Sequence, residues 1–218
     1  MASSQSIKQS KNIKFFFPSS IAVYNVQQGQ KKEINEYEFC ENPTTEYGKA
    51  KLQCEKIGQE HENVDFRCIR FPGIISGTSI PTGGTSDFAP EMIHAAAKGI
   101  QYNCFISKDK KIPFIVMPDA IKAIFQIMSA DREDFNHLVY NITSFSPSVN
   151  DFYIKTKHFF SNFTMLYKID PQRQKIIDSW PDDINDSNAK EDWKWNPEFN
   201  FEKSYKDYLI PSINVKYK

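Results

Sequence analysis

Apolar positions along the chain fall into short runs separated by polar stretches, and each run predicts an element. Ile13 to Phe17 is a short apolar run closed by Pro18, as expected for a strand buried on both faces of a parallel sheet, with Ser19 and Ser20 at its C-terminal end. From about Val26 to Asn42 the chain is polar and carries Gly29, Asn35 and Asn42, which reads as a long connecting loop. A helix is predicted from Thr44 or Thr45 to about His61, with a threonine cap and Pro43 before it. Val64 to Arg70 alternates and then meets Pro72 and Gly73, so a second strand ends at a turn. The order strand, helix, strand implies a right-handed crossover and a parallel sheet.

Further along, Gly73 to Gly84 reads as a loop, and Asp87 to Lys98 as a helix with Pro90 in its first turn. Ile112 to Met117 is another apolar run, followed by a helix from Asp119 to Met128 capped by that aspartate. His137 to Ile142 predicts a strand, Ser148 to Phe160 a helix and Phe163 to Ile169 a late strand. From Pro171 onward the tail is polar, with Trp180, Trp193 and Trp195 as its large anchors. The pattern is that of an open α/β sheet without its opening βαβ units, followed by a small C-terminal part.

Composition narrows the classes of function. The chain has 218 residues, 40% of them hydrophobic, enough for one sizeable core. Basic and acidic residues balance at 27 each, so no field of one sign favours nucleic acid or an acidic membrane surface. No apolar run approaches the roughly 18 to 20 residues that span a bilayer, which predicts a soluble protein. Cys40, Cys54, Cys68 and Cys104 lack metal-ligand spacing and read as reduced thiols, mostly buried. His61, His94, His137 and His158 show no ligand spacing either, so no metal site is expected. The first dozen residues are Ser- and Lys-rich without acids, a faint feature of organelle transit peptides, but a hydrophobic strand follows at once and leaves no room for cleavage and a linker, so they read first as the tail of a helix. The expected compartment is therefore mitochondrial or cytoplasmic.

Chemistry enters with Tyr47 and Lys51. Four residues apart on a predicted helix, they project from one face with Cβ atoms about 5 to 6 Å apart. A free tyrosine titrates near pH 10, about three units too high for a base at neutral pH, and a nearby ammonium lowers that value. A tyrosine tuned this way takes the proton from an alcohol while a hydride leaves its carbon. The spacing alone says little, because Tyr153 and Lys157 repeat it. That second pair has no serine-ended strand before it and no Pro-Gly exit after it, and reads as a solvated helix face. The first pair has both: FFFPSSIAVY precedes it and RCIRFPGII follows. All three pieces meet at the C-terminal edge of a parallel sheet, where such folds bind ligands. Ser20 is then placed to orient the alcohol beside Tyr47. Gly83 and Gly84 read as a turn into the next helix, since they lack the GxGxxG spacing of a phosphate cradle.

The strings PSSIAVY, PTTEYGKAKLQCEKIGQEH and VDFRCIRFPGIIS resemble extended short-chain dehydrogenases of the epimerase/dehydratase superfamily. More narrowly, GGTSDFAPEMIHAAAKG, PFIVMPDAIKAI and DPQRQKIIDSWPDDINDSNAKEDWKW resemble the L-threonine 3-dehydrogenase branch. The similarity runs from about Lys14 to about Phe201, and the DSWP and DSNA strings set it apart from sugar-nucleotide epimerases.

The resemblance implies a Rossmann-like parallel sheet, N-terminally truncated, in residues 1–145, holding NAD and the catalytic groups with substrate-loop elements interleaved. Residues 146–218 would be a C-terminal substrate-covering part. It further implies Tyr47 as base, Lys51 as its partner and as a ligand of the nicotinamide ribose, and Ser20 at a Ser/Thr position near the substrate. Ile74 matches a main-chain contact to the nicotinamide end. Thr85, Ser86 and Asp87 match a substrate-facing loop, with Ser86 in place of threonine, and Trp180 matches a tryptophan near the substrate. The implied reaction is NAD-dependent oxidation of L-threonine to 2-amino-3-oxobutanoate without zinc, in a homodimer paired through helices like the one bearing Tyr47.

One departure stands against this. Complete members begin with a strand, a GxxGxxG turn and a helix N-terminus that holds the pyrophosphate, then an acidic residue on the adenine ribose. Here the first glycine is Gly29, after the serine-ended strand. Three readings stand: a fragment or incomplete gene model, a pseudoenzyme, or a half that assembles with a separate partner.

Overall fold

Strand β1 (Lys14–Ser20) does not stop at Pro18 but runs on to Ser20, paired in parallel with β3 (Asp65–Phe71) along its whole length. The computed structural model describes residues 13–27, 30, 33–61 and 64–217. The Ser- and Lys-rich first dozen residues and Gly29 lie outside the described residues. Within them β3 is the one neighbour of β1, and an edge strand of this kind tolerates the missing N–H of Pro18. The expectation of burial on both faces is corrected accordingly. Phe15, Phe16 and Phe17 are half-buried; Phe15 and Phe17 stack on Phe66, and Phe16 meets Phe71 edge-on.

The other partner of β3 is β7 (Val139–Asn141), giving a parallel sheet in the order β1-β3-β7. Three short parallel pairs surround it. β2 (Glu33–Ile34) pairs with β9 (Asp183–Ile184), β4 (Gly73–Ile75) with β6 (Phe114–Val116), and β5 (Tyr102–Cys104) with β8 (Met165–Tyr167). The loop predicted after Phe71 thus opens with a strand, and the long polar connection after Val26 contains another. Their two- and three-residue lengths carry no readable alternation, so periodicity had no means of marking them.

The helices follow the predicted cores. α1 (Glu46–Gln59) is capped by Thr45, whose hydroxyl accepts from the Gly48 N–H at 3.0 Å. α2 (Phe88–Ala97) follows Asp87, and α3 (Met117–Ser129) carries Pro118 in its first turn. Against the expectation of a cap, Asp119 lies inside the first turn of α3, because the helix starts two residues earlier. Its buried carboxylate instead accepts from the N–H groups of Glu198 and Phe199 at 2.8 and 3.0 Å, tying α3 to the C-terminal segment. α4 (Val149–Phe159) opens with a capping box between Ser148 and Asp151.

The polar tail folds into α5 (Pro171–Asp178), α6 (Ser187–Trp193), the short α7 (Phe201–Lys203), a π-type turn (Ser204–Leu209) and α8 (Ile210–Tyr217). Trp180, Trp193 and Trp195 are all buried. The largest apolar cluster joins Ile21 to Tyr24 with Phe88, Phe114, Phe152, Trp180 and Tyr205, drawing on residues either side of position 145. Of the four thiols Cys68 and Cys104 are buried, whereas Cys40 is half-buried and Cys54 exposed, which corrects the expectation for those two. No helix among the described residues is long and apolar enough to cross a membrane.

Candidate active site

The register sets Ser20 level with Phe71, so β1 and β3 end together at one edge of the sheet. The Ser20 hydroxyl accepts from the Ala22 N–H at 3.2 Å and caps a single 3-10 turn, Ile21–Val23, whose residues are buried. That turn presses on α1. A Cβ on Gly48 would lie 2.1 Å from the Ala22 carbonyl oxygen and 2.9 Å from Pro43, so only glycine admits this approach. Because Gly48 directly follows Tyr47, the contact sets how near the Tyr47 helix stands to Ser20.

Tyr47 is 57% exposed. The Lys51 ammonium lies 5.5 Å from the centre of the Tyr47 ring and 4.9 Å from that of Phe17. It donates to the Pro18 carbonyl at 2.6 Å, which uses one of its three donors and leaves two. The acceptor that Lys51 meets is thus a carbonyl of β1, at Pro18, two positions before Ser20.

A cleft of about 580 Å³ opens at this edge. Ser20, Tyr47 and Lys51 form one side, and Phe71, Pro72 and Ile74 at the exit of β3 form a second. Thr85 and Ser86, from the loop before α2, and Trp180, just after α5, complete it. Seven of the eight residues singled out in the sequence thus share one cavity. Asp87 is not among its walls; one of its carboxylate oxygens accepts from the N–H groups of Thr82, Gly83 and Gly84 at 3.1, 3.1 and 2.8 Å.

The repeat of the spacing is instructive. The Lys157 ammonium sits 5.7 Å from the Tyr153 ring centre, nearly the geometry of the first pair. Yet Tyr153 packs half-buried against Phe163 and lines none of this cleft, so the face is only partly solvated. Location separates the two, and so does the acceptor: Lys157 donates to the Tyr153 hydroxyl at 3.5 Å, whereas Lys51 donates to the Pro18 carbonyl.

Beneath the cleft runs a buried polar network that residue patterns had not indicated. The Ser19 hydroxyl donates to Glu55, and Arg70 grips both Glu55 carboxylate oxygens at 2.9 and 2.6 Å. Arg70 also donates to the Tyr24 hydroxyl at 3.0 Å, which in turn donates to Asn141 at 2.7 Å. Burial, opposed by Arg70, pushes the Tyr24 phenol well above its ordinary value, so it remains a neutral donor. Glu36 closes the far side, accepting from the Asn141 N–H at 3.0 Å and the Asn188 amide at 2.8 Å. One signal was present: Glu55 shares the buried stripe of α1 with Gly48 and Leu52, where a lone acid requires a partner.

The donors fit the nicotinamide end of a dinucleotide. The two Lys51 donors without a partner among the described residues and the exposed Tyr47 side chain suit ribose hydroxyls, and Ile74, 37% exposed, adds apolar surface to the cleft. The volume lies within the roughly 300 to 1,000 Å³ usual for small-molecule sites.

Known proteins resemble the chain over most of its length. The chain is 32% identical to the mitochondrial L-threonine 3-dehydrogenase of Bos taurus over 191 residues, which is 86% of this chain and 50% of the bovine one. It is 34% identical to an uncharacterized epimerase/dehydratase of Staphylococcus haemolyticus over 189 residues, 85% of this chain and 59% of the other. The crystal structure of L-threonine dehydrogenase from Phytophthora infestans superposes with a TM-score of 0.88 at 32% identity, covering 99% of this chain and 69% of that one. The chain spans about half the length of the mammalian relatives it matches. The model of the NAD dependent epimerase/dehydratase family matches residues 3–143, well over half of the chain. With its parallel α/β sheet and a Ser/Tyr/Lys set at the strand edge, the chain belongs to the NAD dependent epimerase/dehydratase family.

Proposed function

We propose that the protein takes part in the NAD-dependent oxidation of L-threonine at its β-hydroxyl, giving 2-amino-3-oxobutanoate. The observation that carries this reading is the meeting of Ser20, Tyr47 and Lys51 with Thr85, Ser86 and Trp180 in one cleft. Ser20 orients the β-hydroxyl, and the Tyr47 oxygen takes its proton as the Cβ–H electron pair departs and the carbonyl forms. Lys51 places positive charge beside the ring as that proton moves, held there by the Pro18 carbonyl. Bound NAD+ supplies the hydride acceptor, with Lys51, Tyr47 and Ile74 at its nicotinamide end. Thr85, Ser86 and Trp180 enclose the amino acid, with Asp87 shaping the loop. A role in threonine catabolism and a homodimer paired through α1 belong to the same reading, as does a mitochondrial or cytoplasmic location.

The test is NADH formation, read at the absorbance of the reduced cofactor, with L-threonine against UDP-glucose as the alternative ligand. Threonine-dependent NADH formation, abolished in Tyr47→Phe, is expected. Tight binding of the UDP-sugar with no threonine oxidation would turn the assignment to a nucleotide-sugar enzyme.

A further inference from the structure

The loop that brings Thr85 and Ser86 to the cleft is held by charge and not by burial. Thr82, Gly83 and Gly84 are exposed, and a Cβ on Gly83 would touch nothing within 4 Å. Gly83 has φ 88°, and two adjacent glycines give the turn wide conformational freedom. Two side chains remove that freedom from opposite directions. Asp87 collects the three N–H groups of residues 82–84, as described above, and Arg173 collects the carbonyls. Its Nη2 donates to Gly83 at 3.2 Å and to Gly84 at 2.5 Å.

Arg173 is itself fixed. Its guanidinium lies 3.3 Å from the centre of the Phe105 ring, and Phe105 is buried against Phe88, the first residue of α2. It sits in the first turn of α5, where Asp170 caps the helix by accepting from the N–H groups of Gln172 and Arg173. The same helix ends at Ser179, whose hydroxyl pairs with Thr44 at 2.9 Å beside the cap of α1, and Trp180 follows as a cleft wall. One eight-residue helix therefore carries the grip on the loop at its start and the tryptophan wall at its end.

We infer that Arg173 is a positioning residue for amino-acid binding: by clamping the Gly83–Gly84 turn it holds Thr85 and Ser86 in the cleft and sets the affinity for the substrate. The inference rests on the threonine reading for the identity of that substrate. Arginine is required because a planar guanidinium both stacks on Phe105 and aims its N–H groups at two carbonyls, which a lysine ammonium does not reproduce.

In the 218-residue chain, Arg173→Met is expected to raise KM for L-threonine about tenfold while kcat and the KM for NAD+ change less than about twofold, with Arg173→Lys in between. Hydrogen exchange read by mass spectrometry is expected to quicken over residues 80–88 and to stay unchanged over residues 46–59. An unchanged KM for threonine, or unchanged exchange in the loop, overturns the clamp. Failure of the wild-type chain to oxidise threonine overturns the reaction reading instead, and the exchange data still decide the clamp.

Discussion

Lys51 donates to the carbonyl of Pro18 at 2.6 Å, so the ammonium of the Tyr47 helix is fastened to the strand that ends in Ser20. The bond has two consequences: it limits where the lysine can go, and it ties helix to strand at the point where both face the cleft.

Removing it should therefore affect more than charge. Lys51→Met is expected to lower turnover with L-threonine and NAD+ by about 10² to 10⁴-fold, the range of a lost acid-base partner. Tyr153→Phe, which alters the matching pair outside the cleft, should leave turnover within about twofold. Steady-state kinetics on both variants checks this, and equal losses would deny the first pair any special role.

Gly48→Ala forces a methyl group to within 2.1 Å of the Ala22 carbonyl oxygen, a backbone atom with little room to yield. Overpacking of this kind costs about 1–3 kcal/mol. A lowered denaturant midpoint with unchanged slope is expected, together with reduced activity as α1 moves off the Ser20 turn. Full stability in the variant would mean that α1 shifts without penalty.

Glu55→Leu leaves the Arg70 guanidinium buried opposite an apolar side chain. Stranding one partner of a buried pair costs about 3–5 kcal/mol, a large share of a typical domain's stability. The expected result in chemical denaturation is a loss of that size, partly recovered in the double variant Glu55→Leu with Arg70→Met. Arg70 also donates to the Glu36 carbonyl, and absence of recovery would show that it is held mainly by that group and by Tyr24.

Asp192, on α6, accepts from the Tyr140 hydroxyl at 2.7 Å and from Asn136 at 2.9 and 2.8 Å. Burial opposes its ionisation, but these bonds and one from His137 outweigh it and hold the carboxyl below the usual aspartate range. A depressed folded pKa contributes stability that is present above the unfolded value, about 4, and is lost as the pH falls through the folded value. Thermal unfolding of the wild type should therefore weaken more steeply below about pH 4 than that of Asp192→Asn. Parallel curves would assign the acid lability to other carboxylates.

Elements whose cause is local were legible in the sequence. Thr45 caps α1, and Tyr47 and Lys51 share a helix face, because caps and four-residue spacings act within one turn. The serine-ended strand and the Pro-Gly exit were legible too, as was the family, since it rests on strings of contiguous residues. Contacts between distant segments were not. Asp119 was read as a cap for the helix it begins, whereas its partners are Glu198 and Phe199, some eighty residues away. Arg173 lies in a stretch that is polar in the sequence, and only the fold lays α5 against Gly83 and Gly84; likewise only β3 brings Arg70 to Glu55. The sequence alone determined which residues can cap, pair and react. Only the tertiary structure decided how these pieces are held together, in the approach of Gly48 to Ala22, the bond from Lys51 to Pro18 and the grip of Arg173 on Gly83 and Gly84, because that depends on where strand ends and helix ends meet in space, and no period within a single element records it.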